Sequence, residues 1–138
     1  MIEELENLLV QILKLEHSGT KGLVIEPYPR PADSYILKGD AAILVHYGGA
    51  DFGEPFESSN VQQVLTCNFQ VLTISRNLRS HTGAYALMDK NRNAVEGLVS
   101  GEMQFHAVSE GFLSVDNGVW WYSQIFAVPQ WFQGQVIM

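Results

Sequence analysis

The chain has a single cysteine, Cys67, so it can form no disulfide within itself and no zinc site built from several thiolates. It has no apolar run near the ~18 residues that cross a bilayer as a helix. Its opening, MIEELENLLVQILKLEH, places Glu3, Glu4 and Glu6 where a secretion signal needs positive charge. The chain is therefore expected in the cytoplasm, or in something assembled there, with no membrane partner. Positive charge is scarce: eight Lys and Arg stand against fifteen Asp and Glu, a formal net charge of -7. That shortage argues against holding duplex DNA by neutralising phosphates, which takes several Lys or Arg contacts.

The few cations are unevenly placed. Residues 1–60 carry net -6, residues 61–98 carry net +2, and residues 99–138 carry net -3 with no Lys or Arg at all. Half of the basic residues fall in one stretch, RNLRSHTGAYALMDKNRNAVEGL, from Arg76 to Leu98. The 138 residues are 46% hydrophobic and 17% charged, which fits one globular domain spanning 1–138.

Ile2, Leu5, Leu8, Leu9, Ile12, Leu13 and Leu15 fall on one face of a helix that HSGTKG ends. GLVIEPYPRP reads as a short strand around Leu23–Glu26, stopped by prolines that lack the N–H a sheet interior needs. DAAILVHYGG reads as a second strand closed by Gly48 and Gly49, and a polar, glycine-bearing loop follows to about Ser59. The third strand, about Val61–Ser75, alternates Leu65, Cys67, Phe69 and Val71 with Thr66, Asn68 and Gln70. Its alternation slips at Val71–Leu72, which predicts a bulge or the end of the half-exposed part.

Ser80 and Thr82 are candidate N-caps for a second helix, whose inner stripe is Ala84, Leu87, Met88, Asn91, Ala94, Val95 and Leu98. MQFHAVSEGFLSVDNGVWWYSQIFAVP predicts a hairpin turning at Asp116-Asn117-Gly118. Trp120 and Trp121 then point to opposite faces, one to the core and one over a helix or a partner. The expected fold is α+β: a mostly antiparallel sheet of about five strands with two main helices packed on it.

Chemistry-bearing patterns are sparse. His17, His46, His81 and His106 show no metal-ligand spacing, and Cys67 falls on the buried phase of its strand. HYGGADFG lacks the lysine and the strand-to-helix placement of a phosphate-binding loop. Glu3 with Glu6, and Asp51 with Glu54, read as solvated faces. No catalytic residue, metal ligand or cofactor site is assigned.

Three stretches, YPRPADSYILKGDAAILVHYGG, RNLRSHTGAYALMDKNRNAVEGL and GVWWYSQIFAVP, resemble the small tail terminator proteins common in Mu-like prophages. The resemblance covers about residues 2–128, weakens at Asp51–Ser59 and is absent over Gln130–Met138; the middle stretch is its specific part. It implies a structural protein of the virion, without catalysis or cofactor, assembled in the host cytoplasm. Such proteins form a ring, usually of six subunits, that ends the tail tube on its head-proximal side. Its partners would be other copies, the tube protein, the sheath where the tail has one, and neck or connector proteins, while DNA passes through without tight binding. Tyr85 and Asp89 match the family's helix start and would orient that helix. Arg76 and Arg79, in a loop between strand and helix, are expected to reach an acidic neighbour, arginine being suited to carboxylates by its planar fork. His81 and Tyr85 belong to the same candidate interface. Trp131 and Phe132 are expected to anchor subunits from a tail, Gln130–Met138, whose removal would leave the domain folded. Other readings are a head–tail joining protein or other tail-completion protein of similar fold, and, from a different class, a small-molecule-binding enzyme subunit.

Overall fold

A computed structural model describes residues 1–29, 35–54, 62–100 and 103–133. In chain order the elements are α1 (Ile2–Glu16), β1 (Leu23–Pro27), β2 (Ala41–Phe52), β3 (Gln62–Ser75), α2 (Ala84–Val95), β4 (Val99–Ser100), β5 (Met103–Gln104), β6 (His106–Asp116) and β7 (Val119–Gln133). The main sheet has five strands in the order β1-β2-β3-β7-β6. β1 pairs with β2 in parallel and every other pair in this sheet is antiparallel, while β4 and β5 form a separate small ribbon. The fold is α+β, as the sequence predicts.

Both helices lie on one face of the sheet. Leu5, Leu9 and Leu13 of α1 and Val95 of α2 join Ile43, Val45, Phe69, Val71 and Phe126 in the principal core. Burying each such side chain stabilises the fold by about 1.5–3 kcal/mol. The alternation of β3 fits this layer, with Leu65, Cys67, Phe69 and Val71 turned inward. Burial pushes the Cys67 thiol above its ordinary pKa, which keeps it protonated and inert.

The slip at Val71–Leu72 is not a bulge, because β3 pairs with β7 in unbroken register from Gln62 to Ser75. It marks the point where the opposite face also becomes buried. There Ala42, Leu44, Leu72 and Ile74 form a second cluster under Tyr28, Tyr35, Leu37 and Trp121. The bulge lies instead in β2, between Tyr47 and Gly49. Gly49 takes φ +122, which lets the strand bend and continue to Phe52 where the sequence predicts a stop. Beyond the second cluster the same face turns polar: His46 Nε2 donates to Gln70 Oε1, and Gln70 Nε2 donates to Ser123 Oγ at 2.9 Å.

The start of α2 also departs from expectation. Its N-cap is Gly83, with no side-chain cap. The first helical N–H groups bond backward to loop carbonyls, Ala84 to Asn77 at 2.9 Å and Tyr85 to Leu78 at 3.2 Å. That doubling-back brings Leu78 so close that a Cβ on residue 83 would sit 2.5 Å from its carbonyl oxygen. Ser80 and Thr82 therefore do not cap the helix; Thr82 instead accepts from Ser75 Oγ through its backbone oxygen at 2.7 Å. At the other end of the chain, Asn117 and Gly118 both have positive φ, as the tight β6–β7 turn requires.

One buried polar cluster joins the layers. Asn91 Nδ2 donates to Thr73 Oγ1 at 3.1 Å on β3 and to Gln124 Oε1 at 3.0 Å on β7. With its nitrogen spent on those acceptors, Asn91 uses Oδ1 to meet His17 Nε2 at 2.7 Å, so the imidazole proton sits on Nε2. His17 Nδ1 is then a bare acceptor, buried without a partner among the described residues. Burial lowers the His17 pKa, Asn91 opposes that shift, Lys90 adds to it and Glu16 opposes it.

Two outcomes follow from this cluster. Asn91→Ala strands Thr73, Gln124 and His17, so a urea melt should show a loss of about 3 kcal/mol with an unchanged slope. A histidine whose folded pKa is depressed contributes stability that is full above its unfolded pKa of about 6.5 and is lost as pH falls through the folded value. The melting temperature should therefore fall between pH 7 and pH 5 more steeply than in His17→Gln, which keeps a donor toward Asn91 but cannot titrate. Parallel curves for the two proteins would contradict this.

Candidate functional site

The predicted interface residues do not form one surface. β3 delivers Arg76 immediately after its last residue, and the guanidinium turns back onto its own chain. Nε donates to the Gly39 carbonyl and Nη2 to the Leu37 carbonyl, both at 3.1 Å. Arg76 thus pins the segment 35–40 over the second cluster, where Tyr35 stands edge-on to Trp121 with centroids 6.4 Å apart. Between this segment and the tip of the β6–β7 hairpin lies an open cleft of about 650 Å³, walled by Ile36, Arg76, Leu113 and Trp121.

Arg79, three residues on, is exposed and faces differently. Its guanidinium carbon lies 5.7 Å from the centre of the Tyr85 ring, within cation–π range. Tyr85, 45% exposed in the first turn of α2, stands edge-on to Tyr122 of β7 at 6.2 Å. Tyr122 meets Phe112 of β6 at 5.6 Å, and Phe112 meets Trp120 at 6.1 Å. Arg79, Tyr85, Tyr122, Phe112 and Trp120 therefore form one continuous patch on the helix side of the sheet. His81 is exposed in the same loop. Tyr122 has a raised pKa, first from burial and then from the Tyr85 hydroxyl, with Arg79 opposing, so its phenol is neutral at neutral pH.

The sequence singles out Arg79, His81 and Tyr85, and offers Trp120 or Trp121 for a helix or a partner, but does not single out Phe112 or Tyr122. The available signal was the alternation in VWWYSQ, which puts Trp120 and Tyr122 on one face; the register bringing Phe112 opposite Tyr122 was not readable. Of the remaining cations of the basic stretch, Arg92 is engaged within the chain. Arg92 pairs with Asp89 and places Nη1 3.0 Å from both Glu110 oxygens, and Glu110 also accepts from Gln124.

Trp131 and Phe132 lie elsewhere. Gln130–Gln133 are not a tail but the last part of β7, paired with Gln62–Leu65 of β3. Removing them would strip the end of a central strand, so the expectation that the domain survives that deletion unharmed is corrected here. Trp131 is 59% exposed and lies nine residues along β7 from Tyr122, on the other face and roughly 30 Å away. The side chain of Phe132 and residues 134–138 lie outside the described residues. Among the described residues no group of three or more His, Cys, Asp or Glu is placed to hold a metal ion.

The fold and patch define an α+β domain whose concentrated exposed chemistry is aromatic and cationic, the composition of protein contact sites. The chain belongs to the Gp37 protein family, whose model it matches over residues 12–135. Its structure is similar to a chain in the virion of a native gene transfer agent particle, with a TM-score of 0.53 and 16% identity over 89% of each chain. A search of curated proteins gives no match.

The two arginines should separate in a stability test. Arg76→Ala removes two bonds to carbonyls that hold segment 35–40 and should lower the unfolding free energy by about 1–2 kcal/mol. Arg79→Ala, exposed over one ring, should change it by less than about 0.5 kcal/mol. Denaturant melts of both variants check the difference.

Proposed function

We propose that this chain is a structural protein of a phage-type virion that ends the tail tube as a ring of like subunits, six by analogy with the terminators it resembles. The role proposed is non-catalytic. The observation that carries it is the Arg79–Tyr85–Tyr122–Phe112–Trp120 patch, exposed at Arg79, Tyr85 and Phe112 and half-buried at Tyr122 and Trp120, a surface suited to a protein partner, on a fold similar to a gene transfer agent virion chain. Large aromatic side chains and arginine dominate contact energies because they bury much area at little entropic loss. The patch would meet the tube below or the neck proteins above, with Arg79 opposite a carboxylate. Arg76 has the supporting task of holding the adjacent segment. The virion context and the head-proximal position both belong to this proposal.

The test adds the purified chain to assembling tube protein and measures tube lengths by electron microscopy. Wild type should arrest growth at the tube end, and Arg79→Glu with Tyr85→Ala should remain folded yet fail to arrest it. Equal arrest by both would overturn the assignment of the patch.

The proposal also bears on DNA. Six copies at -7 each would carry -42, so a lumen formed by them lets the duplex slide rather than stick. Fluorescence anisotropy with a duplex at physiological salt should show no salt-sensitive binding at about micromolar protein. Tight binding would contradict a passive lumen.

A further inference from the structure

β6 is an edge strand with every one of its eleven residues exposed, and among the described residues it pairs only with β7. Val108, Phe112, Leu113 and Val115 along it are each about half exposed, at 55%, 53%, 50% and 48%. Phe112 and Val115 lie on the helix side with Tyr122 and Trp120, while Leu113 walls the cleft on the other side with Trp121. Edge strands that stay unpaired are normally blunted by lysine, proline, bulges or inward-pointing charge; β6 has two bulges and one such charge, Glu110, which turns in to Gln124 and Arg92. Between His106 and Asp116 there is no Lys, Arg or Pro.

The opposite edge of the same sheet is also open. β1 pairs only with β2 among the described residues, and Val24 on it is 41% exposed. Direction decides what the two edges can do together. β1 and β2 run the same way, β3 runs against them, β7 runs with them and β6 against them. The outermost strands are therefore antiparallel to each other. Rotation about an axis along the strands preserves every strand direction, so β6 of one copy would meet β1 of the next in antiparallel register.

We infer that β6 of one subunit adds to the β1 edge of a second copy, joining neighbours of the ring through a continued sheet. This rests on the ring reading and specifies the contact that builds it. The contact is head-to-tail, so it uses both edges of every copy and gives a ring where the rotation between copies closes and an open filament where it does not. β6 is bulged between Ala107 and Ser109 and again between Phe112 and Ser114, while β1 has five residues ending at Pro27. The shared ladder is accordingly short, and side chains such as Val108, Val115 and Val24 supply the burial around it.

The test uses full-length chains in native mass spectrometry. One variant carries Val108→Glu with Val115→Glu on β6, and the other carries Val24→Glu on β1; these positions are exposed, and circular dichroism and melting confirm folding. Wild type should give rings and each variant alone should give monomers. Mixing the two should give a dimer of one copy each, because one intact β6 then meets one intact β1. Rings that survive either variant, a mixture that stays monomeric, or dimers of the β1 variant alone would overturn the edge pairing while leaving the ring reading standing. A wild-type chain that stays monomeric at high concentration would overturn both.

Discussion

One amide side chain, buried at the middle of α2, fixes how the helices sit on the sheet. Asn91 bonds to β3 through Thr73, to β7 through Gln124 and to the end of α1 through His17. Apolar contacts between a helix and a sheet resist separation but do little to prevent sliding. A buried amide with fixed donor and acceptor positions does, because a shift of one residue would leave several polar groups unpaired in a dry interior. The chain extends outward from there: Gln124 also donates to Glu110, and Glu110 holds Arg92 at the surface.

That lock has a consequence for the surface. α2 begins at Gly83 where the loop from β3 folds back on it, and its first turn presents Tyr85. With Asn91 anchored two turns further on, Tyr85 has a set position against Tyr122, and Arg79 a set position over Tyr85. A preorganised aromatic surface loses less entropy on contact than a mobile one, which suits the contact proposed for this patch. The second arginine shows the same economy in a different use. Arg76 is exposed but holds carbonyls of its own chain, so charge and exposure alone did not distinguish a tether from a contact residue.

Most of the fold was legible in the sequence because hydrophobic period carries it. The stripe of α1, the alternation of β3 and the Asn-Gly turn of the hairpin all lie where local chemistry puts them. What local chemistry could not show depended on register and on close backbone approach. Ser80 and Thr82 are good caps in isolation, yet carbonyls of Asn77 and Leu78 reach the helix first. Gly48 and Gly49 look like a stop, yet pairing with β3 carries β2 through a bulge. The apparent tail at Gln130–Gln133 is held in the sheet by partners some seventy residues earlier in the chain. Half of the candidate site was visible as a basic loop with a tyrosine; its other half arrives from the hairpin, through a pairing no short window contains.

Family membership, a fold similar to a virion chain and a partly exposed aromatic patch are the grounds for the proposed structural role in a tail. The most direct measurement is the particle itself. Removing the coding sequence from the intact viral genome and imaging the products should give full heads beside unattached tails of widely varying length, with both defects restored by supplying the chain. Tails of uniform length joined normally to heads in its absence would contradict the account.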